Sequence, residues 1–414
     1  MKMRISVFRH KWRQWWSCLP RSRGAIVTSI VDATWVLGPD PGAEACIDAG
    51  IDWILEAQRQ SSSRDGGVAR HFDLHTGWGA SYPETTGYII PTLLHHAKRR
   101  EDGAVLRSSV KTMLDWLLSI QMPSGAFHGS HRHSVAFEPV VFDTGQILFG
   151  LAAGVREFGE DYVAGLRSAC NWLVSVQDPD GAWRVPNPFA IEGDHVWEAH
   201  VAWGLLEAAR VLGDERIGEA GMKNIYWAAS KQQRNGWYPD CGLGRADSIA
   251  PLTHTIGYTL RGIIEGYFYN RDTSLLRAAT TTANSLLGAQ RPDGSLPAQL
   301  DERWDGVVRW TCLTGCSQIA LCWMLLGRET GRDDFLDAAR RANVFVRRTV
   351  NLEGPADVRG GVKGSYPAYH HYCRFQYINW ACKFLIDACT LEQKIEGDKG
   401  GRAAVSTMVL DGRV

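Results

Sequence analysis

The sequence has no excess of charge of either sign and offers no segment suited to crossing a membrane. Its 414 residues carry 45 Lys and Arg against 45 Asp and Glu, which gives no electrostatic reason to expect a nucleic-acid partner. The moderately apolar stretch at 25–37 is short and contains Asp32, so neither a cleaved signal nor a membrane-spanning helix is predicted.

Organised cysteines and flexible linkers are also lacking. The ten cysteines are scattered, with no CxxC pair and no compact framework, so we expect reduced thiols in a cytoplasmic protein. No linker rich in Ser, Gly or Pro divides the chain. We therefore predict one large domain over 46–393, an N-terminal extension over 1–45 and a flexible C-terminal tail over 394–414.

What the sequence does contain is a repeated motif. A glutamine is followed a few residues later by a glycine and then, usually, by an aromatic or large apolar residue; the clearest copy, Gln-Asp-Pro-Asp-Gly-Ala-Trp, runs from Gln177 to Trp183. The five anchoring glutamines are Gln58, Gln121, Gln177, Gln233 and Gln290, separated by 63, 56, 56 and 57 residues. So constant a period predicts an array of similar supersecondary units.

Each unit contains the pattern of two helices. The amphipathic stretch before each glutamine, such as 166–176, is typical of an outer helix, whereas the more apolar stretch after each turn, such as 318–326, must be buried on most sides. Six inner helices are predicted, with starts near Glu84, Asp143, Glu198, His254, Thr311 and Phe375. The predicted fold is all-α, an (α/α)6 toroid with six inner and about six outer helices.

The starts of the inner helices are polar for segments that enter a core, and we expect them to face one cavity. Helix capping explains the acids alone, but it does not explain the His, Tyr, Trp and Arg residues beside them. Two carboxylates across such a cavity can cleave a glycosidic bond. We predict Glu84 and Asp143 as the catalytic pair, with Glu198 as a further candidate, and leave their acid and base roles open.

The remaining residues near these starts suit a sugar, because aromatic rings stack on pyranose faces and polar side chains bond hydroxyls. Rings are supplied by Trp78, Trp183, Trp197, Trp237, Trp310 and Trp380. The predicted substrate-binding residues are Tyr82, Gln146, His200, Tyr258, Arg309, Trp310, Lys363, Tyr366 and Asn379. An oligosaccharide or polysaccharide is the expected partner, and no cofactor is predicted.

A second carbohydrate chemistry stays open. A uronate lyase or epimerase needs a base at C5 of the sugar and a cation beside the sugar carboxylate. His254 and Tyr258 suit the base, and Arg309 and Lys363 suit the cation, although a satisfied buried histidine explains His254 equally well. A toroid that binds glycan without catalysis is the non-enzymatic alternative.

The motifs also resemble known families. The glutamine–glycine–tryptophan copies resemble the QW repeats of the squalene-cyclase and prenyltransferase superfamily, although only the Gln177 copy is complete. The motifs at 81–91 (SYPETTGYIIP), 252–255 (LTHT) and 363–367 (KGSYP) resemble a bacterial family with squalene-cyclase-like repeats, whose members are often labelled polysaccharide biosynthesis proteins. The resemblance implies a role in making or trimming an exported polysaccharide, and it carries over no catalytic residue.

Two features point away from sugars. Residues 333–337 match the Asp-Asp-x-x-Asp string with which some terpenoid cyclases hold Mg²⁺, but they fall in an inner-to-outer turn, where helix capping is the better explanation. A zinc site could draw on Cys241, Cys312, His370, His371 and Cys373, whose spacing lacks the close pairs typical of such sites. Terpenoid cyclisation is therefore the least favoured alternative, and no metal is predicted.

The N-terminal arm is basic and rich in tryptophan. Residues 1–23 carry seven Lys and Arg among Trp12, Trp15 and Trp16. Such a segment is either a flexible extension or a contact with an anionic membrane surface. The predicted location is cytoplasmic, with peripheral membrane contact as the alternative.

Overall fold

The computed structural model describes residues 22–129, 138–185, 193–243 and 250–398. Within these ranges the chain forms 13 α-helices, and its five strands are only two or three residues long. The first helix, α1 (Arg23–Ala33), precedes the repeats. None of the helices in the described ranges is long and apolar enough to span a membrane.

The other twelve helices alternate between two layers. The outer helices are α2 (Ala43–Arg59), α4 (Gly103–Ile120), α6 (Val163–Ser175), α8 (Glu215–Ser230), α10 (Thr273–Ala289) and α12 (Asp333–Arg347). The inner helices are α3 (Pro83–Ala97), α5 (Val141–Phe158), α7 (Ala199–Leu212), α9 (Thr253–Asn270), α11 (Leu313–Thr330) and α13 (Asn379–Gly397). Short 3-10 turns at Glu160–Tyr162 and Val196–Glu198 precede α6 and α7.

The inner helices form a closed ring. Each packs against the next in chain order, and the sixth, α13, packs against both the fifth, α11, and the first, α3. The predicted six-hairpin toroid is confirmed. An open superhelix would leave α3 and α13 apart.

Helices of the two layers differ in how much of their surface is buried, as the sequence pattern predicted. Every residue of α5 from Val141 to Gly154 is buried, which is the property of a helix surrounded on all sides. The outer helix α12 instead buries a single apolar face, which includes Phe335, Ala342 and Phe345, and exposes acids such as Asp337. The hydrophobic core therefore lies between the layers and around the inner ring.

The repeated glutamines connect neighbouring hairpins. Gln177 Nε2 donates to the carbonyl of Gly181 in its own turn and to that of Ala220 in the next outer helix, α8, both at 3.0 Å. Gln121 and Gln290 make the equivalent pair of bonds, and Gln58 makes a similar pair across the longer turn of its own copy. The motif is thus a structural link between adjacent units.

The fourth copy differs from the prediction by one residue. Its link to the next outer helix is made by Gln232, whose Nε2 donates to the Ala278 carbonyl of α10 at 2.8 Å. Gln233, the predicted anchor, uses its backbone N–H to bond the Trp237 carbonyl, as Asp178 does with Ala182 in the Gln177 copy. Gln232 lies four residues before Gly236, the same spacing as Gln177 has from Gly181, so the loop has its usual length and the prediction took the second of two adjacent glutamines as the anchor.

The turn glycines are required by geometry. Gly181 has a φ of +102°, and a Cβ there would lie 2.7 Å from the Lys223 carbonyl oxygen in α8. Gly294 has a φ of +91°, with the Arg341 carbonyl oxygen of α12 at 2.2 Å from the corresponding position. Both the left-handed backbone and the close contact exclude other residues.

Two small antiparallel sheets lie where inner helices begin. Strand β1 (His71–Asp73) pairs with β2 (Gly77–Trp78) on one side and β5 (Gln376–Ile378) on the other. Strand β3 (Thr311–Cys312) pairs with β4 (Ser365–Tyr366). Because β5 leads into α13 and β3 into α11, the sheets join distant segments at one mouth of the ring.

The ends of the predicted domain shift in the structure. Helix α2 begins at Ala43, before the expected boundary at 46, and α13 continues to Gly397, beyond the expected end at 393. Hydrophobic contacts of these helices with the ring explain the extension. Residues 1–21 and 399–414 lie outside the described residues, so the predictions for the basic arm and the tail stay predictions there.

Candidate active site

The predicted acids Glu84 and Asp143 lie in the first turns of the adjacent inner helices α3 and α5. Their exposed fractions are 8% and 3%, and neither has an ion-pair partner in the described part of the chain. Burial raises the pKa of Glu84 to about 7. Burial, followed by the nearby Glu84 charge, raises the pKa of Asp143 well above its usual value. The pair therefore retains a proton near neutral pH.

The surroundings of the two carboxyls differ. The Tyr82 side chain hydrogen-bonds Glu84, and the Arg70 guanidinium lies close enough for both groups to oppose the rise in its pKa. Asp143 has no such neighbours, and its Oδ1 has no hydrogen-bond partner among the described residues. The negative charge of the pair is therefore favoured on Glu84 and the proton on Asp143.

Arg70 is a cation without a carboxylate partner within the described ranges. Its guanidinium lies 4.9 Å from the ring centroid of Trp380 and 5.8 Å from that of Tyr82. Its side chain also contacts the Cys373 thiol, and two further neighbours, His71 Nδ1 and Gln376 Oε1, are distant, at 3.4 and 3.5 Å. A partly buried guanidinium held on two aromatic faces remains available to an anionic group of a ligand.

Two histidine–glutamine pairs flank the carboxyls. His200 Nδ1 and Gln146 Oε1 are 2.8 Å apart, and His254 Nδ1 and Gln318 Oε1 are 2.7 Å apart. Because an amide oxygen only accepts, each Nδ1 carries the hydrogen and each Nε2 is left with a lone pair. Burial lowers the pKa of His254 to about 4 and that of His200 well below its usual value, so both rings are neutral at pH 7.

Tyr258 connects the histidines to the acids. Its ring centroid is 4.5 Å from that of His200 and 4.4 Å from that of His254. Burial and the charge of Glu84 raise the pKa of its hydroxyl. The structure thus brings Glu84, Asp143, His200, His254 and Tyr258 into one cluster, which we call the mouth cluster.

Unsatisfied polar atoms occur around this cluster. In the described residues, Asp143 Oδ1, Gln146 Nε2 and Trp203 Nε1 are buried and have no protein partner. Buried polar atoms are nearly always hydrogen-bonded, so donors and an acceptor left unmatched by the protein are typical of a surface that binds a polar ligand. Sugar hydroxyls are both donors and acceptors and suit such a mixed set.

Two predicted residues, Asn379 and Trp310, order segments of the chain beside the cluster. Asn379 Nδ2 donates to the Ala69 carbonyl at 3.0 Å and to Thr85 Oγ1 at 2.8 Å, which fixes the start of α13 beside α3. Trp310 stacks on His370 with ring centroids 5.8 Å apart. These contacts are structural, and they order the segments that lead into α13 and α11.

Four predicted residues do not join the mouth cluster. Lys363 Nζ lies 2.6 Å from Asp32 Oδ1 in α1, and Tyr366 packs edge-on against Trp35. Arg309 is exposed. The sequence placed their loops near the ring mouth, but the docking of α1 on the 363–367 loop diverts the first two side chains from the cluster.

Glu198 is the fourth. It is buried in the 3-10 turn before α7, with its carboxylate 3.9 Å from His195 Nδ1. Burial raises its pKa, and the charges that modify it come from His195, Arg184 and Asp194 rather than from Glu84 or Asp143. It therefore belongs to a separate polar group.

Arg70 and Tyr372 were not predicted. Tyr372 accepts a hydrogen bond from Trp380 Nε1 at 2.9 Å, and its ring lies 5.9 Å from that of His254. Arg70 follows the least regular copy of the repeat, and Tyr372 lies in a segment with no repeat at all. Only the pairing of β1 with β5, across some three hundred residues, brings them together.

The features that suggested other chemistry lie elsewhere. Asp334 pairs with Arg332, and Asp337 pairs with Arg340 at 2.7 Å, at the start of the outer helix α12. The Cys241 thiol contacts Thr259 Oγ1 at 3.4 Å, and His371 contacts Arg374 at 3.0 Å. No group of three metal-ligating side chains is found where the chain is described.

Comparison with known proteins identifies the fold. No protein-family model and no curated protein matches the sequence. An unsaturated glucuronyl hydrolase specific for heparin has a TM-score of 0.68 and 14% identity over 86% of this chain and 98% of its own. The cellobiose 2-epimerase of Bacillus thermoamylovorans B4167 has a TM-score of 0.65 and 11% identity over 84% and 99%.

A third solved structure agrees with these. A glycosyl hydrolase family 88 protein from Bacteroides vulgatus has a TM-score of 0.58 and 12% identity over 85% of this chain and 99% of its own. Nearly the whole length of each solved structure is matched, so the likeness is to complete toroids rather than to a few shared hairpins. The (α/α)6 toroid is the fold of this chain.

Proposed function

We propose that this chain is an enzyme that hydrolyses a glycosidic bond of an oligosaccharide at Glu84 and Asp143. The observation that carries the proposal is the buried carboxyl pair, which holds one proton near neutral pH and has no ion-pair partner in the described residues. An acid and a carboxylate side by side are what glycoside hydrolysis requires. Similar toroids that are glucuronyl hydrolases support the assignment.

The environments assign the roles. Asp143, which keeps the proton, donates it to the oxygen of the leaving sugar as the glycosidic bond breaks. Glu84, ionised beside Arg70 and Tyr82, accepts a proton from the water that attacks the sugar. The reaction leaves Glu84 protonated and Asp143 ionised, and transfer of that proton from Glu84 to Asp143, directly or through solvent, restores the pair with no net gain or loss of a proton.

Arg70 indicates an acidic sugar. It is the cation beside the carboxyl pair, and within the described ranges its own charge is not matched by a carboxylate. A sugar carboxylate placed over the Trp380 ring would pair with the Arg70 guanidinium. This pairing would hold the negative charge of the sugar away from Glu84. We infer that a uronate residue occupies this position, a role that the sequence had suggested for Arg309 and Lys363.

The test is an assay on matched acidic and neutral oligosaccharides. New reducing ends from the uronate-containing substrates, without absorbance from a newly formed unsaturated uronate, are expected. Arg70→Met should raise KM for the acidic substrate much more than for its neutral counterpart, because it removes charge and keeps length. Equal effects on the two substrates would contradict the role of Arg70, and binding without turnover would favour a non-catalytic glycan-binding toroid.

Epimerisation or elimination is the second candidate, and the two neutral histidines favour it. His254 Nε2 and His200 Nε2 each carry a lone pair at neutral pH, as a base that removes a sugar C–H proton must. One similar toroid is a cellobiose 2-epimerase. The test is incorporation of deuterium at a sugar carbon in D₂O. If His254→Gln abolishes this incorporation and Glu84→Gln retains it, epimerisation or elimination is the reaction and hydrolysis is not.

The biological setting rests on the sequence resemblance. The motifs at 81–91, 252–255 and 363–367 support a role in making or trimming an exported polysaccharide. A cytoplasmic location agrees with the scattered, unpaired cysteines, nine of which are free in the described residues. Deletion of the gene should then change the length or amount of a surface polysaccharide.

A further inference from the structure

Helix α1 has its apolar residues on the outside. The exposed fractions of Ile26, Val27, Ile30 and Val31 are 42%, 52%, 64% and 55%. Asp32, the acid of the helix, is only 2% exposed, and the other charged residue, Arg23, stands exposed at the first position of the helix. This is the inverse of a surface helix of a globular protein, which buries its apolar face and exposes its charges.

The orientation of α1 is fixed by buried contacts. Asp32 Oδ1 accepts from Lys363 Nζ at 2.6 Å, and its Oδ2 accepts from the Ala368 backbone N–H at 2.8 Å. Ser22 caps the helix through the Ala25 N–H at 3.0 Å. A rotation that buried the apolar stripe would expose this ion pair, so the stripe is held toward solvent.

The stripe is also concentrated in one place. Its residues follow the i, i+3, i+4 spacing of one helix face, and the ridge continues through Trp35 and Val36, which are 41% and 75% exposed. The other large apolar side chains exposed in the described residues are Val105, Tyr226 and Val307, each on its own. A continuous apolar ridge of this kind indicates an interaction surface, whereas single exposed residues do not.

The sequence joined to α1 indicates the occupant. Residues 1–21 contain six Lys and Arg, no Asp or Glu, and three tryptophans. The acidic and basic residues of the whole chain are equal in number, so this local excess of positive charge is specific to the segment that leads into the ridge. Basic residues and tryptophan beside an apolar helix face are the composition of segments that lie in the interface of an anionic lipid bilayer.

We propose that α1 binds the surface of an anionic membrane, with Ile26, Val27, Ile30 and Val31 inserted among the lipid chains. The buried Asp32–Lys363 ion pair fixes this face relative to the toroid. The proposal is independent of the reaction proposed for the mouth cluster.

The test is cosedimentation of the full-length protein with vesicles of phosphatidylcholine, with and without phosphatidylglycerol. Binding is expected only to the anionic vesicles, and added salt should weaken it by screening. The double variant Ile30→Asp/Val31→Asp should lower binding by about tenfold or more. Val105→Asp and Val307→Asp, which place the same charge at similarly exposed apolar sites on the toroid, should bind like the unmodified protein.

Three results would overturn the proposal. The first is equal or absent binding to both kinds of vesicle. The second is binding that survives Ile30→Asp/Val31→Asp and depends only on the basic residues of 1–21. The third is a dimer in sedimentation velocity that this double variant dissociates, since the ridge would then join two copies of the chain. Thermal unfolding of each variant establishes that it is folded.

Discussion

The inner ring buries carboxylates at its mouth and again further along its helices, and their surroundings differ in the two regions. Within the inner helices α13 and α9, Asp387 lies 2.5 Å from Lys383, and Glu265 lies 2.7 Å from Arg261. At the starts of α3 and α5, Glu84 and Asp143 are equally buried, but no cation pairs with them in the described residues.

The difference separates structure from function. Paired buried charges are compensated, so these carboxylates leave no ionisable group free to react, and Asp387 also accepts a hydrogen bond from Thr92 Oγ1 of α3 at 2.7 Å. Unpaired buried carboxyls lose solvation and gain little in return, and such an arrangement is typical of active sites. The same fold thus contains a structural interior, where buried carboxylates are paired, and a candidate reactive end at the mouth, and each can be perturbed separately.

The largest expected effect is on catalysis at the reactive end. Glu84→Gln and Asp143→Asn should each lower kcat by about 10²–10⁴-fold, because each removes a proton-transfer group. The thermal midpoint should stay the same or rise, since an uncompensated buried carboxyl is lost. Glu198→Gln is the matched control, because Glu198 is buried to a similar extent and lies outside the cluster. Turnover in Glu84→Gln and Asp143→Asn equal to that of the control would remove the site assignment.

For the paired carboxylates of the structural interior, the larger effect should be on stability rather than on catalysis. Asp387→Asn leaves the Lys383 ammonium buried without its partner, which should cost about 3–5 kcal/mol in the free energy of unfolding. Asp115→Asn, which breaks the exposed pair with Lys111, should cost less than about 1 kcal/mol. Denaturant unfolding measures both. A small loss in Asp387→Asn would show that the buried pair is not compensating as described.

The pH dependence of stability further distinguishes the reactive end from the structural interior. The pKa of Glu84 rises from 4.5 to about 7 on folding, so the folded state binds more protons between these values. Its contribution is fully present below pH 4.5 and is lost as the pH rises toward 7, by about 1–3 kcal/mol. The difference in unfolding free energy between the unmodified protein and Glu84→Gln should therefore fall over this window. A difference that rises with pH would mean that Glu84 is stabilised as a carboxylate.

The smallest expected effect concerns a structural hydrogen bond that lies outside both regions. Gln232→Ala removes the side-chain link to α10 and should cost about 1–2 kcal/mol in stability. Gln233→Ala, one residue away, leaves that link intact and should change stability by less than about 0.5 kcal/mol. The opposite ranking in chemical denaturation would restore Gln233 as the anchor of the fourth repeat.

The fold and the centre of the candidate site could be predicted because both follow from local patterns. The constant spacing of the five repeats, together with six apolar stretches, indicates six similar units, and the inner-helix starts of such units lie at one mouth of a ring. Glu84, Asp143 and His254 were proposed in this way. Lys363 and Tyr366 were misplaced because their contacts are with α1, a helix outside the repeat. Arg70 was missed because β-pairing with a segment some three hundred residues away places it.

The most direct test of the account is the protonation of the Glu84–Asp143 pair itself. Infrared difference spectra of the unmodified protein and Asp143→Asn, recorded through neutral pH, measure the carbonyl stretch of a protonated carboxyl. The account predicts a carboxylic acid band that persists at about pH 7 and is weakened in Asp143→Asn, where Glu84, with a pKa of about 7, is the remaining carboxyl of the pair. No such band in the unmodified protein would show that both carboxyls are ionised and would contradict the assignment of Asp143 as the proton donor.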